Sequence, residues 1–150
     1  MCASLGAVPA HADIFSFFDG GNDPVITGPR EMTLTAQPDG MYYVRALVNN
    51  TPIKFIIDTG SDDIVLTRKD AQRAGVDVGK LQYSEDYDAA TGSGVEADTT
   101  VNRLSVGPAT FSNVDVSVSE DSNGASLLGM TFLHRLKSVE MSGDHLYLRW

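Results

Sequence analysis

The sequence has little cysteine, little basic charge and no long hydrophobic run. Its 150 residues contain a single cysteine, Cys2, so no disulfide can form within the chain and no cysteine-based zinc site can be built. Twenty acidic residues outnumber eleven basic ones, and the formal charge of -9 disfavours binding to a nucleic-acid phosphate backbone. No apolar stretch reaches the roughly 20 residues that a transmembrane helix needs. A chain of this length is expected to form one domain.

The first residues have the character of a targeting segment. Residues 1–12 are small and weakly apolar and end in Ala10-His11-Ala12, and an Ala-x-Ala step is typical of a signal-peptide cleavage site. Because the basic start is absent, we interpret 1–12 as a signal-peptide remnant; an N-terminal tail with a chance similarity is the alternative. The first interpretation predicts a periplasmic or secreted protein. Residues 13–31, with a Gly/Asn/Asp/Pro cluster, are expected to be an N-terminal extension or linker.

From residue 32 onward the pattern changes to short strands. Alternating or apolar runs of five to ten or so residues are separated by turn residues, which is typical of β-structure. The clearest helix signal begins at the capping residue Thr67 and ends before Gly75, and a second short helix is expected over 131–136. Residues 32–150 are therefore predicted to form an all-β, barrel-like domain with one or two short helices.

One stretch stands apart from these strands. Phe55-Ile56-Ile57 predicts a buried strand, and it ends abruptly in Asp58-Thr59-Gly60-Ser61 before Ile64-Val65-Leu66 resumes the apolar pattern. Gly60 permits a sharp turn directly after the carboxylate. A carboxylate at the end of a buried strand is costly unless its charge is used or neutralised. A strand that ends in an ordinary capped turn is the alternative, because Asp-Thr-Gly is a common tripeptide.

This stretch resembles the active-site loop of aspartic proteases. From about Gly40 to Leu148 the layout resembles the bacterial single-domain retropepsin-like aspartic proteases of the periplasmic PerP type. Two more features carry the resemblance. A glycine-containing hairpin around Ala90-Thr91-Gly92 lies where such proteases have a flap, and Leu128-Gly129 belongs to the apolar element that packs beside the catalytic loop in the family. The resemblance implies a retropepsin-like closed β-barrel.

The resemblance also implies roles for the loop residues. Aspartic proteases use two carboxylates that share a proton across an attacking water. Since this chain has one Asp-Thr-Gly, a homodimer with one Asp58 from each copy is implied. Thr59 would brace the two loops and the amide of Gly60 would face the carboxylates. Ser61 stands where many members have Ala, and in pepsin-like enzymes such a serine hydrogen-bonds the carboxylate. Asp62-Asp63 is expected to face solvent.

The implied activity is endopeptidase cleavage of extended protein segments. The flap tip at Thr91-Gly92 would close over the substrate, and no cofactor or metal is implied. His11, His134 and His145 are far apart in the sequence and have no ligand spacing, so a metal site is not expected. Two alternatives remain: a binding or dimerisation module that keeps the fold without turnover, and a protease active only when a membrane anchor or partner concentrates it.

Overall fold

The computed structural model describes residues 24–89, 92–121 and 123–150. Strands account for most of the structure, which confirms the all-β prediction. Neither helix in the described ranges is long and apolar enough to cross a membrane. In chain order the elements are β1 Val25–Gly28, β2 Glu31–Thr35, β3 Tyr43–Val48, β4 Thr51–Ile57, β5 Ile64–Thr67, α1 Arg68–Arg73, β6 Glu85–Ala89, β7 Gly92–Val106, β8 Ala109–Ser119, β9 Ser126–Leu128, α2 Met130–Leu133, β10 Ser138–Ser142 and β11 His145–Arg149.

Six of these strands close into a barrel. Their order is β3-β4-β9-β5-β8-β7, and the end of β7 pairs back onto β3, with Leu104 opposite Val48 and Val106 opposite Ala46. The first part of the 15-residue β7 extends beyond the barrel and forms a hairpin with β6. The closed β-barrel expected from the sequence is therefore confirmed.

Alternating side chains fill the barrel. Along β3 every second residue is buried, and β4 continues the pattern up to Ile57, because successive side chains of a strand point to opposite faces. The strand β5 is different, since all four of its residues are buried. Its second face is covered by α1, whose Ala71 has no exposed surface.

A four-stranded antiparallel sheet packs against the barrel in the order β1-β2-β11-β10. Its inner face contributes to the same core through four side chains that are at most 3% exposed: Met32, Leu34, Leu146 and Leu148. Strands β10 and β11 are joined by a two-residue turn in which Gly143 has a φ of 61°, a conformation that glycine adopts without strain. Strand β1 lies within the stretch 13–31, where the sequence pattern predicted no strand.

The helix α1 starts where the sequence predicted. The hydroxyl of Thr67 accepts a hydrogen bond from the amide of Asp70 at 3.1 Å, and Gly75 follows the helix with a φ of 84°. The fully buried hydroxyl of Ser126 in β9 donates to the Asp70 carboxylate at 2.8 Å. It also accepts from the amide of Thr67 at 3.2 Å. One hydroxyl therefore ties β9 to β5 and α1.

Replacing Ser126 by alanine should destabilise the fold. Ser126→Ala leaves the buried amide of Thr67 without an acceptor and removes a bond to a carboxylate, at an expected cost of about 1–3 kcal/mol. Ser105→Ala is the control, because that hydroxyl only contacts Thr110 at the surface and its loss should change stability little. Urea unfolding of both variants measures the difference. Equal unfolding midpoints would contradict the role given to Ser126.

Candidate active site

Asp58 lies where three strands meet. Strand β9 runs parallel to β4 and antiparallel to β5, so it is inserted between two strands that are consecutive in the sequence. Asp58 directly follows β4, and its amide donates to the carbonyl of Leu128 at 3.1 Å. Leu128 itself is fully buried. The backbone of the predicted catalytic residue is therefore held by the neighbouring strand.

The Asp58 carboxylate is held by its own turn. The amide of Gly60 donates to Oδ1 of Asp58 at 2.8 Å, and the amide of Ser61 donates to the Asp58 carbonyl at 3.3 Å. A Cβ on Gly60 would lie 3.1 Å from that same Oδ1, which is a tight contact. Asp58 is half-buried in the single copy, and Thr59 and Gly60 are exposed at the loop tip.

The start of α2 holds the rest of the loop. Three amides at this helix start donate to three consecutive carbonyls of the loop, and we call this set the helix-start clasp. Its bonds are Gly129 N to Asp63 O at 3.1 Å, Met130 N to Ser61 O at 2.8 Å and Thr131 N to Asp62 O at 2.8 Å. The first amides of a helix have no partner within the helix, so they need acceptors of this kind. The loop carbonyls and the helix amides satisfy each other.

Within the helix-start clasp, the backbone of Gly129 comes closest to the loop. A Cβ at this position would lie 2.4 Å from the carbonyl oxygens of both Ser61 and Asp63, closer than any real Cβ contact. Only glycine therefore fits between α2 and the loop. Glycine is therefore required at this position of the element that, by the resemblance, was expected to lie beside the Asp58 loop.

The side chain of Ser61 differs from the pepsin-like expectation. Its hydroxyl donates to the carbonyl of Asp63 at 3.1 Å rather than to the Asp58 carboxylate. Asp62 and Asp63 are both exposed, as expected. The Asp63 carboxylate accepts a long hydrogen bond of 3.4 Å from the hydroxyl of Thr131. The resemblance placed the element around Leu128-Gly129 beside this loop but gave the Thr131 side chain no role, because a side-chain contact between distant segments depends on how they pack.

The predicted flap is described only in part. Ala90 and Thr91 lie outside the described residues. Gly92 is the first residue of β7 and pairs with Ala89, the last residue of β6. The two strands that lead to and from the predicted flap tip are therefore paired as a hairpin up to its last described residues.

The surface beside the loop is acidic. A depression of about 410 Å³ is lined by Asp63, Asp98, Asp115 and neighbouring polar residues. Burial raises the pKa of the Glu96 carboxyl above its usual range, and the negative charges of Asp63 and Asp98 raise it further. Within the described ranges no three potential metal-ligating acidic, histidine or cysteine side chains come together.

The fold and the loop geometry are those of the retropepsin-like aspartic proteases. A retropepsin-like aspartic protease from Rickettsia conorii aligns with a TM-score of 0.72 and 39% identity, over 80% of this chain and 90% of that structure. The EIAV protease, in complex with an inhibitor, aligns with a TM-score of 0.59 over 73% of this chain and all of its own, and at 20% identity it supports the fold alone.

Sequence comparison assigns the family. The sequence pattern of the family described as "gag-polyprotein putative aspartyl protease" matches residues 44–135. An uncharacterised protein of Rickettsia prowazekii is 38% identical over 120 residues, which is 80% of this chain. The chain spans about half of that relative's length, 52%. The chain belongs to the retropepsin-like aspartyl protease family.

The close packing around Gly129 predicts that a methyl group added at this position lowers the stability of the fold. Gly129→Ala should displace the clasp and lower the unfolding free energy by about 1–3 kcal/mol, because the new Cβ overlaps two backbone oxygens. Gly124→Ala is the matched control, since a Cβ there meets no atom within 4 Å. Chemical unfolding measures both. An unchanged stability for Gly129→Ala would contradict the close approach.

The raised pKa of Glu96 predicts a pH-dependent stability. A carboxyl whose pKa is raised by folding favours the folded state at low pH, below its ordinary value of 4.5, and that advantage is lost as the pH rises through the folded pKa. Glu96→Gln should therefore be more stable than the native chain at neutral pH, with the difference vanishing near pH 4. Glu120→Gln, at an exposed carboxyl, is the control. The unfolding midpoints of the native chain and of each variant, measured at neutral pH and near pH 4, test this prediction. A stability difference between Glu96→Gln and the native chain that does not change with pH would contradict it.

Proposed function

We propose that two copies of this chain form an aspartic endopeptidase that hydrolyses peptide bonds in extended protein segments. One water molecule lies between the two Asp58 carboxylates. One carboxylate takes a proton from the water while the other, protonated, donates to the scissile carbonyl. Because two negative charges so close repel each other, the proposed pair shares one proton.

The hydrogen bonding and the exposure of the Asp58 carboxylate are the main support for this proposal. Its Oδ1 is fixed by the amide of Gly60, whereas Oδ2 has no hydrogen-bond partner among the described residues. The side chain is half-exposed at the end of β4, where a water and a second carboxylate have access. A single chain contributes one such loop, so half of the catalytic pair is missing without a second copy.

Thr59 and the β6–β7 hairpin complete the proposed site. Thr59 is exposed at the loop tip and its hydroxyl has no partner within the described chain, which suits a contact with the opposing loop. The hairpin, with Ala90-Thr91-Gly92 at its tip, would cover a substrate bound in extended form, with main-chain hydrogen bonds supplying much of the affinity. Because of residues 1–12, we further propose that the enzyme acts outside the cytoplasm, in the periplasm or after secretion.

Substitution of the carboxylate tests the mechanism. Asp58→Asn should abolish cleavage of an unfolded protein substrate, because an amide can neither accept nor share the catalytic proton. Asp62→Asn, at an exposed neighbour in the same loop, should retain activity. Cleavage by the native chain should rise faster than linearly with enzyme concentration below the dimer dissociation constant. Each variant is first checked for native unfolding behaviour.

Mixing the two chains tests whether the site is shared. An equal mixture of native chain and Asp58→Asn, after subunit exchange, should keep about a quarter of the activity of native chain at the same total concentration, since only one dimer in about four has both carboxylates. A mixture with half the activity would indicate independent sites. Cleavage by Asp58→Asn alone would contradict the mechanism. A native chain that is folded and dimeric but cleaves no substrate would favour a binding module.

A further inference from the structure

Three basic side chains line one depression beside the four-stranded sheet. The depression measures about 380 Å³ and lies between the β1–β2 turn and the adjoining ends of β10 and β11, where it is lined in part by Arg30, Lys137, Arg149 and Trp150. We call it the basic depression. Pockets that bind small ligands begin at about 300 Å³. None of its lining residues belongs to the Asp58 loop or to the β6–β7 hairpin, so it is separate from the candidate active site.

Backbone hydrogen bonds hold the walls of the basic depression together. The amide of Trp150 donates to the carbonyl of Arg30 at 3.0 Å, and the amide of Lys137 donates to the carbonyl of Arg149 at 2.7 Å. The indole of Trp150 also packs against the barrel, since a Cβ on Gly107 would lie 3.4 Å from its Cη2 atom. Three separate segments of the chain are therefore fixed around one space.

One of the three basic side chains is already neutralised. The Nε atom of Arg149 is 2.6 Å from the carboxylate of Glu31, and its Nη1 atom is 2.7 Å from the carboxylate of Glu140. Arg149 therefore has little charge left to attract a ligand. Because the Coulomb energy grows with charge, these two carboxylates oppose a doubly charged anion more than a singly charged one.

The other two basic side chains have no such partner. Neither the guanidinium of Arg30 nor the ammonium of Lys137 forms an ion pair or a hydrogen bond with any residue in the described ranges, and both residues are exposed. A guanidinium has five donors, an ammonium has three, and neither group accepts a hydrogen bond. The basic depression therefore offers two unpaired cations in a chain whose net charge is -9.

Trp150 adds a third unpaired donor. Its Nε1 atom is buried and has no hydrogen-bond partner among the described residues. Buried N–H groups almost always have an acceptor, because an unpaired one loses its bond to water without replacement. The acceptor that Trp150 requires is not supplied by the described part of the chain. Like Arg30 and Lys137, it therefore points to a ligand that brings acceptor oxygens.

We propose that the basic depression binds a single carboxylate of a peptide segment, with Arg30 and Lys137 as the charged contacts. A carboxylate has the acceptor oxygens that these donors lack, and its single charge suits the neighbourhood of Glu31 and Glu140. The indole of Trp150 and the ring of Pro29 give the peptide carbon atoms an apolar wall. An acidic side chain and a chain end present the same group. This binding site goes beyond the proposed function, since it requires no cleavage.

The indole reports on the basic depression directly. Trp150 is the one tryptophan of the chain, so its fluorescence and its indole N–H resonance in NMR arise from this depression alone. The full chain is titrated with two capped alanine pentapeptides, one with a central aspartate and an amidated end, the other with a free carboxyl end. At least one should shift the resonance saturably, and the one that does identifies the source of the carboxylate. The same peptide with asparagine and an amidated end should not. Absence of a shift with both carboxylate peptides would overturn the proposal.

Substitution of the unpaired cations tests their role. Arg30→Gln and Lys137→Gln should each raise the dissociation constant of the peptide about tenfold, because each removes a charge-assisted hydrogen bond. Lys69→Gln is the matched control, at an exposed lysine of α1 that does not line the basic depression, and should leave the constant unchanged. Equal losses in all three variants would indicate an effect of net charge alone and would overturn the proposal. Unchanged unfolding midpoints exclude a loss of fold.

Other anions and the catalytic variant complete the test. Phosphate, compared with chloride at equal ionic strength, should shift the indole resonance less than the peptide does. An equal affinity for phosphate would overturn the assignment of a carboxylate. The titration is repeated with Asp58→Asn, whose dissociation constant should equal that of the native chain. Peptide binding without cleavage by the native chain would leave this inference standing and remove the proposed function, whereas cleavage without this binding would do the reverse.

Discussion

Backbone hydrogen bonds at the start of α2 determine the shape of the catalytic loop. The helix-start clasp satisfies three amides at the helix start and three loop carbonyls at once, so neither partner can move without breaking these backbone hydrogen bonds. Contact this close is possible because Gly129 has no side chain. The segment that follows the Asp58-Thr59-Gly60 turn is therefore held by a helix some 70 residues later in the chain, whereas the turn itself is held by the amides of Gly60 and Ser61.

The three-residue strand β9 connects this loop to the remainder of the fold. At one end the hydroxyl of Ser126 joins Thr67 and Asp70 at the start of α1, and at the other the carbonyl of Leu128 receives the amide of Asp58. Since β9 lies between β4 and β5, a change in its position would move the catalytic loop and the helix together. Stability and the geometry of the candidate site depend on the same contacts in this domain.

Local patterns predicted much of this architecture. Apolar alternation located most of the strands and the Thr67 cap located the start of α1, because each depends on residues within a few positions of one another. The carboxylate loop around Asp58 was recognisable for the same reason. Its place at the end of β4 follows directly from the apolar run before it.

The remaining features depended on pairings between distant parts of the chain. Strand β1 was not predicted, because it is short and forms only against β2; the partner of the Ser61 hydroxyl depends on where Asp63 lies in the folded loop. By itself the sequence determined most of the elements and the candidate carboxylate, which are local properties of an apolar pattern. Only the tertiary structure decided that β9 separates β4 from β5 and that α2 clasps the loop, because strand order and register come from packing the whole chain at once.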